Sequence, residues 1–221
     1  METSKNRIFV IGGTGRTGSI IISKLLEKGH TVTSLTRSDP KTCKDYGTNH
    51  KWVQYDLYKS NSEQSINLSD LIKNNLAVIS SLGSRKGSPA DIYYKSYLNI
   101  LENMETAGVN RLIAVTADGT HTAHGFFFKY VVKKLFLSTI LKDTEKTEDY
   151  FKRYCGPIQW TFIRPFRLLD GEKGKYRTAL ENKHPQDKKW NWESYTGDVA
   201  QFCCDELSEN KFVNQLVSTG I

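Results

Sequence analysis

No apolar run in the 221 residues is long enough to cross a bilayer, so no transmembrane helix is expected. The opening Met1-Glu2-Thr3-Ser4-Lys5-Asn6-Arg7 is polar and lacks the apolar centre of a secretory signal, which points to a cytoplasmic protein. Cysteine is scarce: Cys43, Cys155, Cys203 and Cys204, with no Cys-x-x-Cys spacing. That pattern gives neither a thiol zinc site nor a redox dithiol, and a disulfide framework is unexpected at this length, so these are read as structural thiols. His121-Thr122-Ala123-His124 has no acid at helical spacing to complete a metal site, and no metal is expected. Internal repeats, low-complexity segments and charged tails are absent too. The net charge of +7 is spread along the chain, 14 basic against 10 acidic residues in 1–110 and 17 against 14 in 111–221. A nucleic-acid binder concentrates such charge on one arm or face. The expected partner is a small molecule, with neither nucleic acid nor membrane bound, and the expected state is a monomer or weak homodimer.

What is present is ordinary for a globular chain: 38% hydrophobic and 25% charged residues, enough for one domain over residues 1–221. Strand-like and helix-like stretches alternate. Arg7–Ile11 is a short apolar strand, and Gly15–Lys28 has helical spacing and stops at Gly29. Thr31–Thr36 and Trp52–Tyr55 read as strands, Leu68–Lys73 as a short helix, and Leu76–Ser81 as a fourth strand. Asp91–Ala107 reads as a long helix with Tyr94, Leu98, Leu101 and Met104 on its inner face. Leu112–Val115 is a fifth strand, Phe126–Leu141 and Asp143–Tyr154 are two helices, and Ile158–Ile163 is a sixth strand. Thr196–Leu207 is a helix and Phe212–Val217 the closing strand. The stretch Asp170–Trp192 is irregular and predicts an excursion over the substrate side. Strands separated by helices imply parallel βαβ units, hence an α/β, doubly wound Rossmann-type sheet with ligands at the carboxyl ends of its strands.

Gly12-Gly13-Thr14-Gly15-Arg16-Thr17-Gly18 follows the first strand and opens the first helix. Gly12, Gly15 and Gly18 in that context form the fingerprint of a dinucleotide site: a tight turn, close backbone approach to a pyrophosphate, and a helix dipole facing it. Thr14, Arg16 and Thr17 lie where side chains can reach the phosphates. At the end of the second strand, where an NAD site carries an acid, this chain has Arg37 and Ser38, with no acid before Asp39. A guanidinium there suits a 2′-phosphate, so the expected cofactor is NADP (NADPH). Asp56 and Leu57, after the third strand, are placed beside the adenine. Ser81, Leu82 and Gly83, after the fourth, are placed at the middle of the cofactor.

These residues resemble an atypical short-chain dehydrogenase/reductase, within the NAD(P)H-binding, NmrA-like group that includes biliverdin reductase B (flavin reductase). The likeness runs nearly end to end, through Ile11–Gly18, Ser81-Leu82-Gly83, Gly108-Val109-Asn110-Arg111-Leu112, Trp160-Thr161-Phe162-Ile163-Arg164-Pro165 and Thr196-Gly197-Asp198-Val199-Ala200. It implies that Thr116, ending the fifth strand, faces the nicotinamide and that Pro165 and Phe166 border its ring. The chain departs from the reductases in two places: Ala117 stands where they carry Ser, and Phe166 where they carry His.

Candidate acid and base groups follow. Tyr130-Val131-Val132-Lys133-Lys134 spells the Tyr-x-x-x-Lys pattern, in which a lysine one helical turn on lowers the phenol's pKa. His121, in the loop after Thr116, titrates near neutrality and can donate a proton; Asp118 and His124 share that loop. Glu148 reads first as part of a solvated charged face; the alternative, implied by the resemblance, is an acid that points into the cleft. Trp190, Trp192 and Tyr195 either wall a planar substrate or pack the core. Together these features predict an NADPH-dependent oxidoreductase acting on a small conjugated or aromatic acceptor (flavin-, quinone- or biliverdin-like) with Thr116, Tyr130 and His121 as catalytic candidates. The alternatives are a cofactor-binding redox sensor without turnover, or a non-redox isomerase or cyclase on the same fold.

Overall fold

Ile8 and Val10 point to one face of the first strand, Phe9 and Ile11 to the other, and all four are at most 1% exposed. A strand apolar on both faces must be covered on both, which calls for helices above and below a parallel sheet. The computed structural model describes residues 6–59, 63–84, 87–117, 137–165, 167–180 and 193–220. In it β1 (Arg7–Ile11), β2 (Thr31–Thr36), β3 (His50–Gln54), β4 (Ala77–Ser80), β5 (Arg111–Val115) and β6 (Gln159–Pro165) run in the order β3-β2-β1-β4-β5-β6. The sheet continues through β10 (Gln215–Gly220) to β8 (Arg177–Leu180). Neighbours are parallel throughout, except that β8 runs antiparallel to β10. Two short strands, β7 (Arg167–Leu169) and β9 (Glu193–Tyr195), pair apart from it.

The two faces hold separate cores. On one, α1 (Arg16–Glu27) and α5 (Thr196–Glu209) pack Ile21, Ile22, Leu25, Val199 and Phe202 onto Ile8 and Val10. On the other, α2 (Leu68–Ile72), α3 (Ile92–Ala107) and α4 (Leu137–Lys152) pack Leu68, Ile72, Tyr97, Met104 and Phe151 onto Phe9 and Ile11. Each such side chain contributes about 1.5–3 kcal/mol by leaving water. Cys203 and Cys204 are buried free thiols in the first core, and burial pushes the Cys204 pKa up to about 11, as inert structural thiols require. Among the described residues no helix is long and apolar enough to cross a membrane.

Several boundaries differ from the sequence reading. The described part of the two helices expected around residue 142 is one helix, α4, with no break there. The buried face of α3 runs through Ile92, Tyr93, Tyr97, Ile100, Leu101 and Met104; Tyr94 and Leu98 are only partly buried. Polar Ser96 and Asn103 lie on that buried stripe and obscure its periodicity. The last strand begins at Gln215 rather than Phe212, because the Glu206 carboxylate accepts the backbone N–H groups of Lys211 and Phe212 and holds them in a turn. The irregular 170–192 stretch includes β8, so part of it is an edge of the main sheet rather than an excursion.

Candidate cofactor-binding cleft

A cleft of about 540 Å³ opens at the carboxyl ends of β1, β2, β3 and β4, where strand order reverses between β1 and β4. Reversal points of this kind leave a crevice between helices on opposite faces, and the volume suits a small-molecule ligand. Its floor is the glycine turn. Gly12 has φ +77°, and a Cβ there would lie 2.5 Å from the Ser81 carbonyl oxygen. The Gly15 N–H donates to the Gly12 carbonyl at 2.9 Å and closes the turn. A Cβ on Gly18 would fall 2.2 Å from that same oxygen and 2.6 Å from Ser81 Oγ, so α1 packs this closely only because Gly18 has no side chain. At Gly15, which lines the cleft, a Cβ would meet only Gly12 O, at 3.1 Å, and the backbone stays open to a ligand.

The start of α1 is prepared for an anion. Its N-cap, Gly15, makes no side-chain hydrogen bond, and no acid occupies its first turn. Its first N–H groups and positive dipole end therefore meet no side-chain acceptor of the helix's own. Thr14 and Arg16 are exposed at the cleft, and Thr17 is buried against it. Arg16 Nη1 meets Asp170 Oδ1 at 2.7 Å, with the two side chains 62% and 72% exposed. An ion pair that exposed contributes little, so a phosphate can displace Asp170 at small cost.

Arg37 and Ser38 line the far end of the cleft, both exposed. The Arg37 backbone carbonyl accepts a hydrogen bond from Gln54 Nε2, and its guanidinium forms no ion pair among the described residues. Asp39, the nearest acid, is engaged: its carboxylate accepts the Lys41 N–H at 2.9 Å, capping the short turn Pro40–Thr42. Asp56 and Leu57 also line the cleft. The Asp56 carboxylate accepts the Tyr58 N–H at 3.1 Å, and Asn99 Nδ2 donates to the Leu57 carbonyl at 2.9 Å, which ties this loop to α3. Ser81, Leu82 and Gly83 form the opposite lip, with open space before Gly83. The Ser81 hydroxyl lies 3.3 Å from both the Ile11 and Gly12 carbonyls, so it staples the glycine turn to β4.

The structure thus gathers Gly12, Thr14, Gly15, Arg16, Thr17, Arg37, Ser38, Asp56, Leu57, Ser81, Leu82 and Gly83 around one cleft, with Gly18 directly behind it. Thr116 and Pro165 stand apart from these, at the carboxyl ends of β5 and β6 on the same edge of the sheet. The Thr116 hydroxyl donates to Glu148 Oε1 at 2.9 Å. Glu148 is 3% exposed, a buried carboxylate rather than a solvated one, because α4 turns it in between β5 and β6 toward Arg164. Phe166, His121, Tyr130, Asp118, His124, Trp190 and Trp192 lie outside the described residues. Tyr195 is half-buried before α5, under the Lys173 ammonium. Sequence reasoning missed Tyr58, Ile92, Ser96 and Leu168, which also line the cleft. Ile92 and Ser96 stand one helical turn apart on α3, a spacing that could have marked them. Leu168 carries no local signal; it arrives from 150 residues beyond the glycine turn.

Comparison with known proteins agrees with this geometry. The family model described as NAD(P)H-binding matches residues 12–210. No curated protein sequence matches the chain. Among solved structures, a Streptococcus pneumoniae protein named as an NADH-flavin reductase superposes with TM-score 0.75 at 21% identity, over 97% of this chain and 99% of that one. One from Bacteroides thetaiotaomicron, named as an epimerase, gives 0.77 at 21% identity over 98% and 97%. A short-chain dehydrogenase/reductase from Veillonella parvula gives 0.74 at 15% identity over 98% and 94%. At these identities the likeness is one of fold, whereas the family match runs from the glycine turn through β2 to β9 and α5. The chain belongs to the NAD(P)H-binding family, on the fold of the atypical short-chain dehydrogenase/reductases.

Proposed function

We propose that this protein is an NADPH-dependent oxidoreductase that passes hydride to a small conjugated or aromatic acceptor of the flavin, quinone or biliverdin type. The observation that carries the cofactor choice is Arg37: an exposed guanidinium at the cleft, without an ion pair among the described residues, beside an acid already committed to its own loop. The residues present fit the cofactor. The Gly12–Gly18 turn and the α1 N-terminus would receive the pyrophosphate, with Arg16 released from Asp170 to neutralise it. Arg37 and Ser38 would hold the 2′-phosphate, Asp56 and Leu57 the adenine end, and Ser81, Leu82 and Gly83 the middle. Thr116, Pro165 and Phe166 would border the nicotinamide, with His121 and Tyr130 as candidate proton donors. The reduced cofactor, when bound, supplies the hydride; the protein orients it and excludes water. This reading takes residues 1–221 as one cofactor-binding domain acting in the cytoplasm as a monomer or weak homodimer.

The test is to titrate purified protein with NADPH and NADH, and then to follow NADPH oxidation with flavin, quinone and biliverdin acceptors. Tighter binding of NADPH with acceptor-dependent oxidation is expected; no binding and no oxidation would overturn the proposal. Ala117 and Phe166, where similar reductases carry Ser and His, favour a second reading as a redox sensor that binds cofactor without turnover. Equal affinity for oxidised and reduced cofactor with no acceptor-dependent oxidation would select that reading. A non-redox isomerase or cyclase would show product formation without cofactor consumption.

A further inference from the structure

Three buried polar groups meet beyond the cleft, at the carboxyl ends of β5 and β6. The Thr116 N–H donates to the Ile163 carbonyl at 2.9 Å, fixing the residue at the sheet edge. Its hydroxyl donates to Glu148 Oε1 at 2.9 Å, and Arg164 Nε lies 3.4 Å from that same oxygen. Thr116 is 8% exposed, Glu148 3% and Arg164 0%. A carboxylate this buried is tolerated when a cation and hydrogen-bond donors face it, and both do so here.

An ionised carboxylate only accepts hydrogen bonds, whereas a threonine hydroxyl has one proton to give and two lone pairs. The single proton of Thr116 is therefore committed to Glu148, and what Thr116 can present to a ligand is lone pairs. A carbonyl awaiting a proton receives none from it. The complementary group is an N–H or O–H donor.

We propose that Glu148 is a positioning residue that holds Thr116 as a hydrogen-bond acceptor, so that the subsite beside β5 selects a ligand bearing an N–H or O–H donor. This rests on the reading of the chain as a nicotinamide-dependent reductase. The donor has two possible sources, the carboxamide of the nicotinamide or a ring N–H of the acceptor, and two pairs of probes separate them. In the first, the Kd of NADP is compared with that of its 3-acetylpyridine analogue, in which a methyl replaces the carboxamide NH2. In the second, NADPH-dependent turnover of lumiflavin is compared with that of 3-methyl-lumiflavin, whose ring N–H is blocked.

The wild-type protein should lose about tenfold in one of these comparisons, the scale of one hydrogen bond whose loss leaves a polar group unpaired. The arm that responds names the source. Thr116→Val should reduce that discrimination to within twofold, and Thr116→Ser should keep it. Glu148→Met removes the acceptor at similar side-chain length and frees the Thr116 proton, so it too should erase the preference. A purely structural role for Glu148 would lower the melting temperature and leave the ratio between probes unchanged. Should Glu148→Met not fold, the near-isosteric Thr116→Val decides alone. A wild-type protein that binds NADP but discriminates in neither arm, or a Thr116→Val variant that retains the preference, overturns this inference. A wild-type protein that binds no nicotinamide nucleotide overturns the reductase reading itself.

Discussion

Arg37 and Asp39 stand two residues apart on the loop after β2 and have opposite fates. Asp39 folds back to cap Lys41, while the Arg37 guanidinium remains at the cleft. A ribose 2′-hydroxyl needs an acceptor at this place and a 2′-phosphate needs a cation. Arg37→Ala should therefore weaken NADPH binding about tenfold or more, the scale of a lost charge-assisted contact, and change NADH binding less than twofold. Fluorescence titration of both cofactors checks this, and equal losses would remove the 2′-phosphate assignment. Gly18 is the other decisive single residue. A methyl group there would meet the Gly12 backbone oxygen at 2.2 Å, and backbone cannot rotate away. Gly18→Ala should abolish measurable cofactor binding and cost about 1–3 kcal/mol of stability by overpacking, read from denaturant midpoints.

At the scale of elements, the two ends of the sheet do different work. The amino ends of β5 and β6 carry a closed ion network. Glu206 of α5 meets Arg111 Nη2 at 2.6 Å and accepts from Thr161 Oγ1 and the Phe212 N–H, all through one oxygen, with the arginine side chain 8% exposed and the carboxylate 1%. Removing one partner strands the other charge in the core. Glu206→Ala should cost about 3–5 kcal/mol of stability, seen in denaturant melts. It should leave the Kd for NADPH unchanged in whatever fraction folds, because the cleft lies at the opposite edge. The carboxyl ends carry the cleft, and there a segment from far along the chain closes one side. Arg16 and Lys24 of α1 pair with Asp170 and Glu172, and the Asp198 carboxylate of α5 accepts the N–H groups of Lys173 and Gly174. This brings Leu168 of β7 to the cleft wall.

For the whole molecule, protonation and ligand binding both act on the folding equilibrium. Burial holds His50 well below its ordinary value, at about 4, in a cluster with Tyr46 and Trp52, and its Nε2 lies 3.0 Å from Ser34 Oγ. Burial, with Lys28 adding to it, lowers His30 as well. The unfolded chain then binds more protons at these sites than the folded one, so their effect on stability is absent above pH 6.5 and becomes unfavourable as pH falls from 6.5 toward 4. Thermal melts between pH 7.5 and 4.5 should show this loss, and His50→Gln should flatten it; an unchanged slope would rule out His50 as its source. A ligand that binds only the folded state adds about 2.7 kcal/mol at a hundred times its Kd. For a chain of this size that is a rise of about 5–10 °C in melting temperature, and NADPH should give it. A null shift at saturating cofactor would contradict a preformed cleft.

The glycine turn, the order of the strands through β6 and the place of Arg37 after β2 were legible in the residues alone. Each depends on short-range chemistry: turn glycines, periods of 2 and 3.6, and the fixed distance from a strand end to its loop. The break between helices near residue 142, the start of the closing strand and the edge strand β8 were misread. The turn before the closing strand is set by the Glu206 carboxylate, and β8 by its pairing with β10 across the chain. The same holds for chemistry. A glutamate in a charged helix looks solvated from its neighbours in sequence, and only packing places Glu148 beside Thr116, 32 residues away, and Arg164. Sequence by itself determined the glycine turn at Gly12–Gly18, in a chain of the NAD(P)H-binding family. Tertiary structure decided which polar groups lose their water, and so which way the Thr116 proton points, because burial depends on every element that closes over a site.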